Sequence, residues 1–206
     1  MIATCRVCGN YSRDKEVSGN RIRCPKCGTE WEFRKMPLFI LSGCSGVGKT
    51  TTGLILQRKH PGYVVLDADM FYNIMPHETE ADYYEQLEQM ESLTKNIAQS
   101  GSPVLWTMAG NLDKINQTYH RRFLDDVWIL ALTASSREIR NRMEVGRGIT
   151  DQTWIQSSVD YNEYFLTHRM IGDMPFEILD TEGKTAEEVA WEVQKWMTPH
   201  MASRME

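Results

Sequence analysis

The sequence predicts an α/β protein, a parallel sheet flanked by helices, preceded by a small four-cysteine module. Three observations carry this. Apolar runs suited to buried strands, at 38–41, 63–66, 104–107, 127–132 and 176–180, alternate with helix-compatible segments, the pattern of a parallel sheet. The first run leads straight into a glycine-rich loop, Gly43-Cys44-Ser45-Gly46-Val47-Gly48-Lys49-Thr50-Thr51. Two cysteine pairs, Cys5/Cys8 and Cys24/Cys27, stand ahead of it.

The 206 residues suffice for one α/β domain and a small module. A net charge of −5 supplies no long-range field for nucleic acid. No apolar run reaches the 18 residues of a membrane span, and the N-terminus lacks a secretory apolar region, so a cytoplasmic protein is expected. The cysteine pairs form C-x2-C-x15-C-x2-C, a spacing for tetrahedral zinc rather than for disulfides. Each pair is followed by a glycine, Gly9 or Gly28, where a tight turn brings backbone amides towards the thiolates. Residues 10–23 read as turns joining short strands, and Trp31-Glu32-Phe33 as a last strand. Residues 1–35 thus resemble a zinc ribbon. So short a segment cannot bury enough apolar surface alone, so Zn²⁺ would hold it together. Four thiolates close the coordination shell, which makes the metal structural rather than catalytic. Arg21, Arg23, Lys26, Arg34 and Lys35 are offset by Asp14, Glu16, Glu30 and Glu32. A structural or protein-contact role is therefore favoured over nucleic-acid binding.

Gly43-x-x-x-x-Gly48-Lys49-Thr50 is the pattern of the phosphate-binding loop. Its glycines let backbone N–H groups turn inward around a phosphate, and the helix that follows points its positive end at the same anion. Gly43, Cys44, Ser45, Gly46, Val47, Gly48, Lys49, Thr50 and Thr51 are the expected nucleotide-binding residues. Lys49 reaches the β- and γ-phosphates of ATP, and the Thr50 hydroxyl ligates Mg²⁺. Cys44 occupies a variable position and reads as a small filler.

A helix over 51–59 is followed by a break at His60-Pro61-Gly62. The second strand then ends in Asp67-Ala68-Asp69. A carboxylate there can hold Mg²⁺ or take the proton of an attacking hydroxyl. If the strand continues, both point the same way; Asp69 could instead cap a following helix. The loop, its helix and His-Pro-Gly-Tyr-Val-Val-Leu-Asp-Ala-Asp together resemble the small P-loop kinases: polynucleotide 5′-kinases, gluconate kinases, adenylylsulfate kinases and the wider nucleoside and nucleotide kinase group. The resemblance implies that Asp69 is a general base. It also leads one to expect an arginine near Tyr72, where this chain has Phe71-Tyr72-Asn73.

By the same resemblance, residues 70–100 form a helical acceptor-binding lobe. Ile74, Leu87, Met90, Leu93 and Ile97 recur at helical spacing as its apolar face. Phe71 and Tyr72 are candidates to line the acceptor pocket. Met108-Ala109-Gly110-Asn111 closes the third strand at the end where open α/β sheets bind ligands, so Gly110 and Asn111 are candidate acceptor contacts, with Asn111 equally a cap. After the fourth strand, a helix over 135–145 carries Arg137, Arg140 and Arg142, and Arg147 lies between Gly146 and Gly148. The resemblance makes this a lid, with Arg142 and Arg147 neutralising charge on the transferring phosphoryl group. Helices over 154–170 and 185–197 complete the domain, the second with Val189, Val193, Trp196 and Met197 on one face. The expected division is a ribbon at 1–35, a kinase-like domain at 36–198 and a tail at 199–206.

The function expected is ATP- and Mg²⁺-dependent phosphoryl transfer to a nucleoside, nucleotide, nucleic-acid 5′ end or other small hydroxyl acceptor. Lys49, Asp69, Asp67, Arg142 and Arg147 are the catalytic candidates, and Asp67 doubles as a Mg²⁺ ligand. The competing class is a nucleotide-binding switch whose ribbon contacts a protein or nucleic acid. The absence of an Asn-Lys-x-Asp string argues against a familiar GTPase. A nucleic-acid module with incidental ATPase activity is disfavoured by the acidic balance.

Overall fold

A computed structural model describes residues 2, 4–59 and 62–202; His60 and Pro61, expected to break the chain, lie outside the described residues. Three short antiparallel strands open the chain, β1 (Glu16–Ser18), β2 (Arg21–Arg23) and β3 (Glu30–Glu32). They are followed by β4 (Leu38–Ser42), α1 (Lys49–Arg58), β5 (Val64–Asp67), α2 (Asp69–Tyr72), α3 (Glu80–Ala98) and β6 (Val104–Thr107). Two 3-10 turns, Leu112–Gln117 and His120–Phe123, lead to β7 (Val127–Thr133), α4 (Ser136–Asn141) and a π-helical turn at Arg142–Gly146. Then come α5 (Gln152–Thr167), the small β8 (Met170–Ile171) and β9 (Met174–Pro175), β10 (Glu177–Asp180) and α6 (Ala186–Ala202).

The main sheet has five parallel strands in the order β10-β7-β4-β6-β5. β4 is central and buried throughout, which is why it reads as an unbroken apolar run. Its alternate side chains enter two cores. Phe39 and Leu41 join Leu56 of α1 and Val189 and Val193 of α6, whereas Leu38 and Ile40 join Leu87 and Met90 of α3. α1 lies close to the sheet because residue 53 is glycine: a Cβ there would stand 2.8 Å from Thr107 Cγ2.

Three expectations are corrected. α5 stops at Thr167, and a hairpin turning at Gly172 (φ +58°) takes the place of its expected last turn. α6 runs to Ala202, past the expected start of the tail, because its apolar stripe continues: Met201 packs on the core and His200 stacks on Trp128 at 3.6 Å. In α3 the buried face is half polar. Leu87 and Met90 are buried, but Leu93 is partly exposed and Ile74 lies outside the helix, 69% exposed. The Glu88 carboxylate instead accepts from Tyr119 N (2.7 Å) and His120 N (3.1 Å), capping the second 3-10 turn. Glu91 meets the Thr118 hydroxyl, which also donates to Ile115 O at 2.9 Å. Burial pushes the Glu91 carboxyl up to about 8, against the pull of the hydrogen bond it accepts from Thr118.

The three-stranded module seats on this same region. Ile22 and Phe33 pack against Phe123, with Phe33 and Phe123 edge to face at 5.6 Å. The Gln99 side chain bridges both backbone groups of Arg34, at 3.0 and 2.9 Å. The module therefore touches α3 and its capped turn, not the end of the sheet where the glycine loop lies.

Candidate active site and zinc-type cysteine cluster

The glycine loop connects β4 to α1. Gly43, Gly46 and Gly48 have φ of +132°, +80° and +111°, and a Cβ on Gly43 would lie 2.5 Å from Leu132 O. Only glycine permits this backbone and this approach. Lys49 Nζ is folded onto the loop, donating to Gly43 O (2.8 Å) and Cys44 O (2.9 Å). Burial holds its pKa below the ordinary lysine value, with Cys44, Asp69 and Asp67 opposing that shift. Cys44 is buried, and burial pushes its thiol up to about 11, in keeping with a neutral filler.

β5 does not continue to Asp69. It ends at Asp67, and Asp69 is the first residue of α2, so strand alternation does not align the two carboxylates. The cap is also reversed from expectation: Asp67 Oδ1 accepts from Asp69 N at 3.1 Å, leaving the Asp69 carboxylate uncommitted to a cap. Both nevertheless line the cleft of ≈ 950 Å³ in front of the glycine loop, together with Lys49, Thr50 and Thr51. That volume is of nucleotide size. Asp69 opens to solvent on one side, yet burial of its remainder, then the neighbouring Asp67, raise its pKa against the pull of Lys49 and Arg147.

Arg142, Thr181, Lys184 and Val189 also line the cleft. Arg142 is clamped by four hydrogen bonds: Nε donates to Glu138 (2.7 Å), Nη1 to Val47 O (3.2 Å) and Thr181 Oγ1 (2.9 Å), and Nη2 to Thr181 O (3.2 Å). It ties the glycine loop to the segment after β10. Arg147 instead lies over the Trp154 ring at 5.5 Å, and Trp154 Nε1 reaches Ser45 Oγ at 3.4 Å. The two arginines thus share the cleft in different states, one clamped and one resting on an exposed ring.

A second cavity of ≈ 90 Å³ adjoins the first and shares Asp69 and Ala109 with it. Of the candidate acceptor contacts, Tyr72, Gly110 and Asn111 line it; Phe71 does not, being buried against Trp106 at 5.8 Å. Tyr83, Gln86 and Met108 are additions that the sequence reading missed, as are Trp154, Thr181 and Thr107 in the cleft. Thr107 had one available signal, its place at the end of a strand beside β4. Its Oγ1 is buried without a protein hydrogen-bond partner among the described residues.

Cys5, Cys8, Cys24 and Cys27 converge, all four sulfurs lying within 4.8 Å of one another. Cys5 and Cys27 Sγ are 3.6 Å apart, as are Cys8 and Cys24 Sγ. A disulfide requires about 2.05 Å, whereas thiolates about 2.3 Å from a central zinc stand roughly 3.8 Å apart in a tetrahedron. The set fits zinc. Gly9 and Gly28, at φ +70° and +73°, close equivalent turns with Gly9 N to Cys5 O at 2.9 Å and Gly28 N to Cys24 O at 2.8 Å.

No protein-family model and no curated protein sequence matches the chain. Solved structures do. A gluconokinase from Sinorhizobium meliloti 1021 superposes with a TM-score of 0.58 at 16% identity, over 81% of this chain and 94% of that one. A sugar kinase from Janibacter sp. HTCC2649 gives 0.59 at 19% identity, over 82% and 98%. The fold is that of the P-loop kinases. A shikimate kinase from Acinetobacter baumannii, solved with shikimate, gives 0.52 at 17% identity over 84% and 98%. At these identities the P-loop kinase fold is what is shared; the acceptor is a matter for this chain's own side chains. Among the described residues, no helix is long and apolar enough to cross a membrane.

Proposed function

We propose that the chain is an ATP- and Mg²⁺-dependent phosphotransferase acting on a hydroxyl of a small acceptor: a nucleoside, nucleotide, nucleic-acid 5′ end or comparable molecule. One observation carries this. Asp69 stands on the wall shared by a nucleotide-sized cleft and a second, smaller cavity. An acceptor hydroxyl placed in the smaller cavity lies between that carboxylate and the phosphate end of the cleft. Its oxygen bonds to the γ-phosphorus, the bond from that phosphorus to the β-phosphate oxygen breaks, ADP leaves, and the hydroxyl proton passes to Asp69. Lys49 swings from its loop carbonyls to the phosphates, and Arg147 from Trp154 to the developing charge. Arg142 positions the loop. Thr50 and Asp67 would hold Mg²⁺, which would supply charge neutralisation there. A pure nucleotide switch has no need of the second cavity. The test is incubation with γ-labelled ATP and a panel of nucleosides, nucleotides, sugars and 5′-hydroxyl oligonucleotides. Transfer of label to a panel member supports the proposal; nucleotide binding with no acceptor labelled favours the switch.

We further propose that residues 1–35 form a separate zinc-held module through Cys5, Cys8, Cys24 and Cys27. Elemental analysis of protein purified without chelator is expected to give one zinc per chain. Structural zinc contributes on the order of 10 kcal/mol to such modules, so its removal should unfold residues 1–35. That uncovers Phe123 and frees the Arg34 backbone from Gln99, loosening α3. The cleft lies on other elements, so ATP affinity should persist. Metal-free protein with an unchanged spectrum and melting curve would defeat this assignment.

A further inference from the structure

We infer that the phosphoryl acceptor is an uncharged polyhydroxyl compound, of nucleoside or sugar-alcohol type, rather than one carrying a phosphate or carboxylate. The inference rests on the phosphotransferase reading and concerns its smaller cavity. Among the described residues, no lysine, arginine or histidine lines that cavity. Its walls are the rings of Tyr72 and Tyr83, edge to face at 6.2 Å, the amides of Gln86 and Asn111, and the Met90 and Met108 side chains. Its one charged wall residue is Asp69, with Asp67 in the adjoining cleft.

Around the cavity, His77 stands edge to face on the Tyr72 ring at 5.2 Å, with Nδ1 3.3 Å from Met75 O, and does not line the cavity. α2 contains no basic residue, and α3 has only Lys95, about 18 Å along the axis from Tyr83 at 1.5 Å per residue. Lys114, on the first 3-10 turn, is paired with Glu80. Arg121 donates to Asn116 Oδ1 (2.9 Å) and to the carbonyls of Leu124 (3.3 Å) and Asp125 (2.7 Å). Lys49, Arg142 and Arg147 belong to the nucleotide cleft. An anionic acceptor would therefore lose its hydration without gaining a counter-charge, and would face a carboxylate. A neutral acceptor meets what the walls provide. Gln86 spends Nε2 on Pro76 O (2.7 Å), which leaves its oxygen to accept from a hydroxyl. Asn111, held at φ +60°, makes no capping bond with its amide. The tyrosine rings supply flat apolar surface for a base or a sugar face.

The experiment uses matched pairs with γ-labelled ATP and the full chain: nucleosides against their monophosphates, and sugars and sugar alcohols against the corresponding sugar acids. The neutral member of a productive pair is expected to exceed its anionic partner by about 10²-fold or more in kcat/KM, the scale of an uncompensated like-charge contact. Preferential use of the anionic members overturns the inference and leaves phosphoryl transfer standing. Transfer to no member while ATP binds removes the phosphotransferase reading itself. Tyr83→Arg supplies the missing cation. It should move the neutral-to-anionic ratio at least about tenfold towards the anion; an unchanged ratio would show that the acceptor does not occupy this cavity.

Discussion

Lys49→Ala is expected to abolish phosphoryl transfer and to leave the fold intact. In the structure Nζ sits on Gly43 O and Cys44 O, at the mouth of the loop whose glycines hold their backbone open. The variant loses the mobile positive charge available to the β- and γ-phosphates. Loss of one preorganised donor to a developing anion costs about 10² to 10³ in rate, and loss of a full charge in a site already carrying Asp67 and Asp69 should cost more. Stability should change little. The Lys49 pKa is depressed by burial, so the folded state disfavours the charged amine at pH values below that depressed pKa. Alanine removes that penalty along with two hydrogen bonds to carbonyls. The measurements are ADP formation under saturating acceptor and a thermal melt. Turnover like that of the parent protein would place the active site elsewhere.

The inner strands were legible because β4, β6 and most of β7 are buried and hence nearly uninterrupted in apolar residues; β4 contains no polar side chain before Ser42, whereas the edge strands β5 and β10 are only partly buried. The glycine loop was legible because its spacing follows from backbone needs that few residues meet. The Asp67-Ala68-Asp69 segment was legible as chemistry but not as geometry. Whether a strand continues two more residues depends on its neighbour, and β5 ends where Ala68 N bonds to Thr107 O and α2 begins. Arg142 and Arg147 look equivalent in the sequence. Only the approach of Thr181, 39 residues away, distinguishes the clamped one from the one over Trp154. The polar face of α3 was misread for a similar reason: Glu88 is buried because it caps a turn 31 residues further on, and helical periodicity carries no record of that partner. Tyr83 and Gln86 escaped notice as cavity residues because the cavity exists only where α3 crosses the end of β6. The last turns of α6, Pro199 among them, show no clear pattern in the sequence, yet His200 and Met201 bind them to β7 and the core.

Asp69→Asn separates a transferase from a switch, and the change in rate should be accompanied by an opposite change in stability. Asparagine keeps the size and the hydrogen bonding but accepts no proton. A positioned base contributes about 10² to 10⁴ in rate, so kcat for acceptor phosphorylation should fall by that factor with ATP affinity nearly unchanged. Burial, reinforced by Asp67, raises the Asp69 pKa above that of an ordinary aspartate. The base works only when ionised. The parent enzyme should therefore lose activity as pH falls through that raised value, on an acid limb displaced upward from 3.8, and the limb should be absent from the residual activity of the variant. The stability sign is opposite to that of a salt-bridged aspartate. Because the folded pKa exceeds the unfolded one, ionised Asp69 costs stability above the folded pKa, and the cost disappears as pH drops below the unfolded value. At neutral pH Asp69→Asn should melt slightly higher than the parent. Asp67→Asn provides the contrast: it retains an oxygen to accept from Asp69 N, and should weaken Mg²⁺ dependence rather than remove the acid limb. Calorimetry of nucleotide binding, transfer rates from pH 4 to 8 under saturating ATP, and melts at neutral pH make the comparison. Transfer by Asp69→Asn at the parental rate would strip Asp69 of the role of base and pass it to Asp67.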